Sequence, residues 1–250
     1  MTNKKVMIEG RDLVIGYGDS PPILNGVSFD IYDKDRFIIL GESGSGKSTL
    51  LKAIIGLNPA REGTVKFMGR ELNYPIPEND PFYKDIGILY QNSALLNSMT
   101  IEENVMLPIN MHYPKFSPKV ALEIAREKLF QVNLYEHRKK YPPELSGGMK
   151  KRAALARAMV TDPKIIFFDE PQAGLDPVTA KGMDELFVKM NEDLGITLVT
   201  VTHELLSIKR AGKTILMIAD KKILFLGSLD EALNSDIFRV KRFFNVDKFS

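Results

Sequence analysis

The stretch Phe37-Ile-Ile-Leu-Gly-Glu-Ser-Gly-Ser-Gly-Lys-Ser-Thr49 decides how this chain folds. Phe37 to Leu40 is a continuous apolar run, as expected of a strand buried on both faces in a parallel sheet. Gly41 to Gly46 is a glycine-rich turn. From Ser48 to Gly56 the apolar residues Leu50, Leu51, Ile54 and Ile55 recur at helical spacing. The order is therefore buried strand, glycine turn, helix. Gly41-Glu42-Ser43-Gly44-Ser45-Gly46-Lys47-Ser48 also fits GxxxxGK[ST], a motif that carries meaning only in that order. Glycines let successive backbone N–H groups face a phosphate, and the helix N-terminus adds the positive end of a dipole. Lys47 is placed for the β- and γ-phosphates, Ser48 Oγ for Mg2+, and Thr49 for the α-phosphate. By itself the loop leaves ATPase, GTPase and kinase chemistry open.

Further along, Ile165-Ile-Phe-Phe-Asp169-Glu170 is an apolar strand ending in two acids. In a parallel sheet, ligands gather at the carboxyl ends of strands. Asp169 can then hold Mg2+, directly or through a water. Glu170 points elsewhere, where a carboxylate can align an attacking water or take its proton. Between these segments, Leu145-Ser146-Gly147-Gly148-Met149 opens a helix, and Ser146 with two glycines makes a second anion-binding end. One triphosphate does not need two such ends. The expectation is a head-to-tail homodimer, with ATP between the phosphate loop of one copy and the Ser146 turn of the other.

The rest of the chain supports an α/β core interrupted by helices. Val6 to Ile8, Val27 to Ile31, Thr64 to Phe67 and Ile86 to Tyr90 read as strands, with Gly16 to Pro22 as a break. Pro75, Pro77 and Pro81 mark a loop. Thr100-Ile-Glu-Glu103 is a capping box that starts a short helix, Ser117-Pro118 starts another running to about Val132, and a third follows from about Gly147 to Val160. Ile165 to Phe168, Ile196 to Val201, Thr214 to Ala219 and Ile223 to Leu226 read as strands. Met183, Leu186, Phe187, Met190 and Leu194 trace one helical face, and Ser228 to Glu231 caps a last short helix. The reading is one domain, 1–250, with its core at about 1–91 and 162–250 and a helical subdomain at about 92–161.

Composition narrows the function classes. The 250 residues are 44% hydrophobic and 26% charged, ordinary for a globular protein. A net charge of +2 offers no electrostatic argument for nucleic acid or an anionic membrane. With no cysteine, a disulfide scaffold and a thiolate metal site are both excluded. No apolar run reaches the length of a membrane span, and Met1 to Asp12 lacks a signal-peptide core. Any membrane association is expected to come through a partner.

Taken together, these motifs resemble the ATPase subunits of ABC transporters over nearly the whole chain, from about Val6 to Leu233. The resemblance implies a P-loop NTPase (RecA-like) core with an N-terminal antiparallel β subdomain and an inserted α-helical subdomain. Gly41 to Thr49 resembles Walker A, Leu145 to Met149 the signature loop, and Ile165 to Asp169 Walker B, with Glu170 as catalytic glutamate. Gly174-Leu175-Asp176 resembles the D-loop and His203 the switch histidine that contacts the γ-phosphate. Gln91 resembles the glutamine that reaches Mg2+ and the water, and Tyr17 the aromatic that stacks on adenine. His112 and His137 lack such context and are assigned to the surface. Two departures stand out: Met149 replaces the usual glutamine, and Gln172-Ala173 precedes the D-loop in place of two small hydroxyl residues.

Met149 within Leu145-Ser-Gly-Gly-Met-Lys-Lys-Arg-Ala-Ala-Leu-Ala-Arg-Ala158, with Gln91-Asn-Ser-Ala-Leu-Leu96 and Ile218 to Ile223, is similar to the Mla/Mkl branch. That resemblance implies phospholipid transport between envelope membranes, with an integral-membrane permease and an MCE-domain lipid-binding protein as partners. It places the protein at the cytoplasmic face of the inner membrane. ATP and Mg2+ are the implied cofactors, and no nucleic-acid partner is expected. An ATPase for another cargo (amino acid, lipoprotein or drug) is the alternative, and a soluble non-transport ABC protein a lesser one. The chain after His203 is expected to hold no large regulatory domain.

Overall fold

The computed structural model describes residues 5–245. In chain order it forms strands β1 (Val6–Ile15), β2 (Leu24–Tyr32) and β3 (Arg36–Gly41), helix α1 (Lys47–Ile54), strands β4 (Glu62–Phe67) and β5 (Arg70–Glu71), helix α2 (Phe82–Asp85) and strand β6 (Ile86–Leu89). Helices α3 (Ile101–His112), α4 (Pro118–Gln131) and α5 (Gly147–Met159) follow, then strand β7 (Ile165–Asp169) and helix α6 (Pro177–Leu194). The remainder is strand β8 (Thr197–Val201), helix α7 (Leu205–Ala211), strands β9 (Thr214–Ala219) and β10 (Lys222–Ser228), and helices α8 (Leu229–Leu233) and α9 (Phe238–Phe244). The chain forms two compact units. One runs to Ile76 and resumes at Val199, and the other is Pro77–Leu198.

The first unit holds an antiparallel sheet in the order β2-β1-β4-β5. Strand β1 pairs Gly10 with Phe29 of β2, and a Cβ at Gly10 would lie 2.6 Å from the Phe29 ring. Glycine there lets the aromatic ring lie flat over the strand. In the same unit β3 pairs in parallel with β9, Ile38 opposite Ile215, and β9 pairs with β10 in a hairpin. The hairpin turns at Asp220 and Lys221, both left-handed, as a two-residue turn requires. Strand β3 is buried along nearly all its length. Its Ile38 and Leu40 join Ile208, Ile215, Met217, Val240 and Phe244 in one core.

The second unit is built on helices α3, α4 and α5. Thr100 caps α3 with a full capping box, and Ser117 caps α4 with Pro118 in its first turn. Ile101, Val105 and Ile109 of α3, Ala121, Ala125 and Leu129 of α4, and Ala153 to Ala156 of α5 share a core with Leu89, Ile166, Phe168, Met183, Phe187 and Met190. Strands β6 and β7 run parallel, Leu89 opposite Phe168. Because β6, β7 and α6 pack into the helices' own core, contacts group 77–198, a wider span than the helical segment 92–161. Gly87 brings β6 against α5: a Cβ there would lie 2.2 Å from the Ala158 carbonyl.

Several details differ from the sequence reading. The stretch with Pro75, Pro77 and Pro81 is not all loop, since β5 precedes these prolines and the four-residue α2 follows Pro81. Helix α3 is not short: it runs 12 residues, through Pro108. Its buried apolar stripe outweighs the local cost of proline. Helix α7 has no counterpart in the sequence pattern, since its buried Ser207, Ile208 and Ala211 are not a conspicuous apolar pattern. Nor is the helix capped at Ser228 the last, because α9 follows it. That basic, aromatic heptapeptide is held by burial of Val240 and Phe244, each worth about 1.5–3 kcal/mol, with Phe243 partly buried beside them and Arg239 paired to Asp220 at 2.7 Å.

Candidate nucleotide site

In the first unit, β3 delivers the chain to the glycine loop and α1 leaves it. Gly41 approaches β9 so closely that a Cβ would lie 2.5 Å from the Ile218 carbonyl. Gly46, at φ 102°, is the N-cap of α1, and a Cβ there would meet Ile23 at 2.8 Å. At Gly44 a Cβ would point into open space, so φ 78° is what demands glycine there. Lys47 folds back over the loop. Its Nζ donates to the carbonyls of Gly41 at 3.1 Å and Glu42 at 3.0 Å. Ser48 and Thr49 lie in the first turn of α1, and Ser43 in the loop itself. The Ser45 hydroxyl is buried without a hydrogen-bond partner.

Tyr17 and His203 belong to the same unit. Tyr17 follows β1 and is 49% exposed, as a residue that stacks on a ligand must be. Thr202, just beyond β8, donates its N–H to the Ile39 carbonyl of β3 at 3.3 Å. His203 therefore follows the strand end tied to the loop's own strand. Its ring is open to solvent, 3.8 Å from the Glu204 carboxylate.

The second unit carries the other candidates. Gln91 and Glu170 each lie two positions beyond the paired Leu89 and Phe168, so both leave the carboxyl edge of the parallel pair. Asp169 ends β7 nearly buried. Glu170 is left-handed at φ 48°, a strained conformation for a non-glycine residue. Its carbonyl accepts from Ala173 N–H at 3.1 Å.

Ser146 is the N-cap of α5, its hydroxyl accepting from the Met149 N–H at 3.3 Å. The Met149 main chain thus contributes to the turn whatever its side chain. Leu145 is buried, while Ser146 and Gly147 are exposed. A Cβ at Gly148 would lie 2.5 Å from Thr179 of α6, so this glycine is required for packing beside the D-loop. Asp176 caps α6, accepting from the N–H groups of Val178 and Thr179 at 3.0 Å each. Hydrogen bonds from Thr179 hold its carboxyl below the usual range. The unusual Gln172 also has a role: its buried amide donates to Asp184 of α6 at 2.7 Å. His112 and His137 are partly exposed in this unit, and burial lowers the His112 pKa with Lys84 nearby.

Three polar residues of this unit escaped the sequence reading. Lys151 donates to the Gln91 carbonyl and, at 3.5 Å, to the Glu170 carbonyl. Arg157 donates to the carbonyls of Ala94 and Ser93 at 2.6 and 2.7 Å. Asn104 accepts from Leu96 N–H and donates to the carbonyls of Leu96, Met99 and Thr100. All three hold the chain after Gln91. The available signal was periodicity: Lys151 sits on the face of α5 shared with Ala154, Leu155 and Ala158, all buried. Truncating the fully buried Asn104 to alanine is expected to cost about 2 kcal/mol in urea unfolding, since its carbonyl partners lose their donor. An unchanged unfolding midpoint would contradict that role.

The loop's chemistry suits a polyphosphate. Its glycines bring backbone close, its helix end and Lys47 supply donors, and Ser45 offers an unpartnered hydroxyl. Among the described residues no three His, Cys, Asp or Glu cluster into a metal cage. Mg2+ bound with a nucleotide needs none, because phosphates and waters complete its shell.

A strand, a glycine loop with its lysine, and a carboxylate pair ending a second parallel strand define a P-loop nucleotide hydrolase. The family model for ABC transporters matches residues 24–173, and the chain belongs to that family. It is accordingly an ATPase that uses ATP with Mg2+. The methionine import ATP-binding protein MetN of Campylobacter jejuni is 36% identical, over 97% of this chain and 77% of its own. The probable ribonucleotide transport ATP-binding protein mkl of Mycobacterium leprae is 35% identical, over 96% and 69%. The dimeric, post-hydrolysis structure of the ATP-binding cassette MJ0796 bound to ADP and Pi superposes with a TM-score of 0.79 at 30% identity, covering 89% of this chain and 99% of that one. No described helix is long and apolar enough to cross a membrane.

Proposed function

We propose that two copies of this chain close head to tail around two ATP molecules and drive an integral-membrane permease that moves phospholipid between envelope membranes. The exposed Ser146 turn, a helix N-terminus with no phosphate loop of its own, supports the composite site. The dimeric cassette bound to ADP and Pi supports it from a relative.

In this reading Tyr17 stacks on adenine, and Gly41 to Thr49 hold the phosphates with Lys47 on the β- and γ-oxygens. Ser48, Gln91 and Asp169 would hold Mg2+, which when bound neutralises charge on the β- and γ-phosphates. Glu170 aligns the attacking water and accepts its proton. His203 and the Ser146 turn of the second copy, with Leu145 and Gly147 to Met149 shaping it, stabilise charge developing on the γ-phosphate. Asp176 holds the start of α6 beside that turn. The permease docks beside the segment 92–99, because that segment joins the Gln91 strand to the helices. The protein then sits at the cytoplasmic face of the inner membrane through its permease.

The observation that carries the cargo is the Met149 signature run, similar to the Mla/Mkl branch, together with likeness to the mkl protein. Likeness to MetN favours a second reading, amino-acid import. A mild-detergent pull-down from native membranes, read by mass spectrometry, separates the two. An MCE-domain protein, a multi-span permease and bound phospholipid are expected. A solute-binding partner instead would overturn the cargo, and no membrane partner at all would overturn the transport role.

A further inference from the structure

Lysine is rarely buried without a carboxylate against it. Lys151 is 5% exposed, and the groups its Nζ meets are main-chain carbonyls, those of Gln91 and Glu170. Burial lowers its pKa, while Asp169 and Glu170 pull it the other way. Arg157, on the same helix, takes the carbonyls of Ser93 and Ala94, both in left-handed conformation. Helix α5 therefore grips the chain from Gln91 to Ala94 at three carbonyls. Lys151 alone reaches the end of β7 as well. Glu170 needs such support, because its backbone is itself left-handed and turns back at once through the Ala173 N–H.

We propose that Lys151 is a positioning residue for hydrolysis: by tying the Gln91 and Glu170 main chains to α5, it keeps the Glu170 carboxylate in register with Gln91. The inference rests on the reading of Glu170 as the residue that aligns water. It also makes the helix that starts at Ser146 the body that transmits movement of the 92–99 segment to Glu170. A shift of that segment drags α5 by the Ser93 and Ala94 carbonyls that Arg157 holds, and Lys151 passes the shift to β7.

The test is steady-state ATPase and ATP affinity of the full chain carrying Lys151→Met, Lys151→Gln or Lys151→Arg, with Glu170→Gln alongside. Methionine keeps the length and packing of the stem without donors, and glutamine keeps a donor should methionine unfold the chain. The expected result for both is a kcat lower by about tenfold or more with KM within about twofold, because misplacement harms the transition state more than binding. Lys151→Arg restores about half or more of kcat, since a guanidinium also donates to two carbonyls. A kcat near wild type in both Met and Gln variants would overturn the inference. So would a loss confined to melting temperature, or one that arginine fails to rescue. If Glu170→Gln itself turns over normally, the reading of Glu170 fails. If that variant is inactive while the Lys151 variants are normal, only the inference about Lys151 fails.

Discussion

Glu170→Gln is expected to bind ATP as the wild type does and to hydrolyse it about 10²–10⁴ times more slowly, the usual contribution of a positioned base. The substitution is nearly isosteric. It leaves the main-chain bonds at Glu170, from Ala173 N–H and Lys151, without any reason to change. What it removes is a carboxylate at the carboxyl edge of β7, on the residue whose left-handed backbone sets it apart from Asp169. ATP then stays intact at the closed interface, so the variant should accumulate as a nucleotide-bound dimer in size-exclusion chromatography with Mg-ATP. Turnover at the wild-type rate would remove Glu170 from the mechanism.

Lys47→Ala is expected to weaken ATP binding by about 10- to 150-fold. A charge-assisted hydrogen bond to phosphate is worth about 1.5–3 kcal/mol, and each 1.4 kcal/mol is tenfold in affinity. The side chain is nearly buried, so its ammonium acts where water screens it little. Its present bonds, to the Gly41 and Glu42 carbonyls, hold it over the loop beside the place a phosphate would take. Titration calorimetry with ATP measures the change directly. Unchanged affinity would contradict the phosphate-cradle role of the loop.

Much of this site was legible in the sequence because the relevant signals are local. The loop needs strand, glycines, lysine and helix in one run of residues, and Phe37 to Ile54 shows all of them. The caps at Thr100, Ser117, Ser146 and Ser228 depend on residues within a single turn, and each is present. The acids after β7 follow from an apolar run that stops. Periodicity puts Lys151 on the buried face of α5, but the bonds of Lys151 and Asn104 were not legible, because their partners lie elsewhere along the chain and no short spacing records them. The same holds for Gln172, an apparent oddity of sequence until its bond to the distant Asp184 is seen.

By itself, then, the sequence determined the phosphate loop, the paired carboxylates, the second helix end at Ser146 and the alternation of strand and helix around them. Each rests on backbone conformations and periodicities that neighbouring residues enforce on one another. Only the tertiary structure decided that α9 completes the first core, that Gly148 is glycine because Thr179 lies against it, and that a buried lysine on α5 holds both Gln91 and Glu170. These depend on which surfaces meet after the chain has folded back on itself. Burial and close approach are properties of pairs distant in sequence, and no local pattern encodes them.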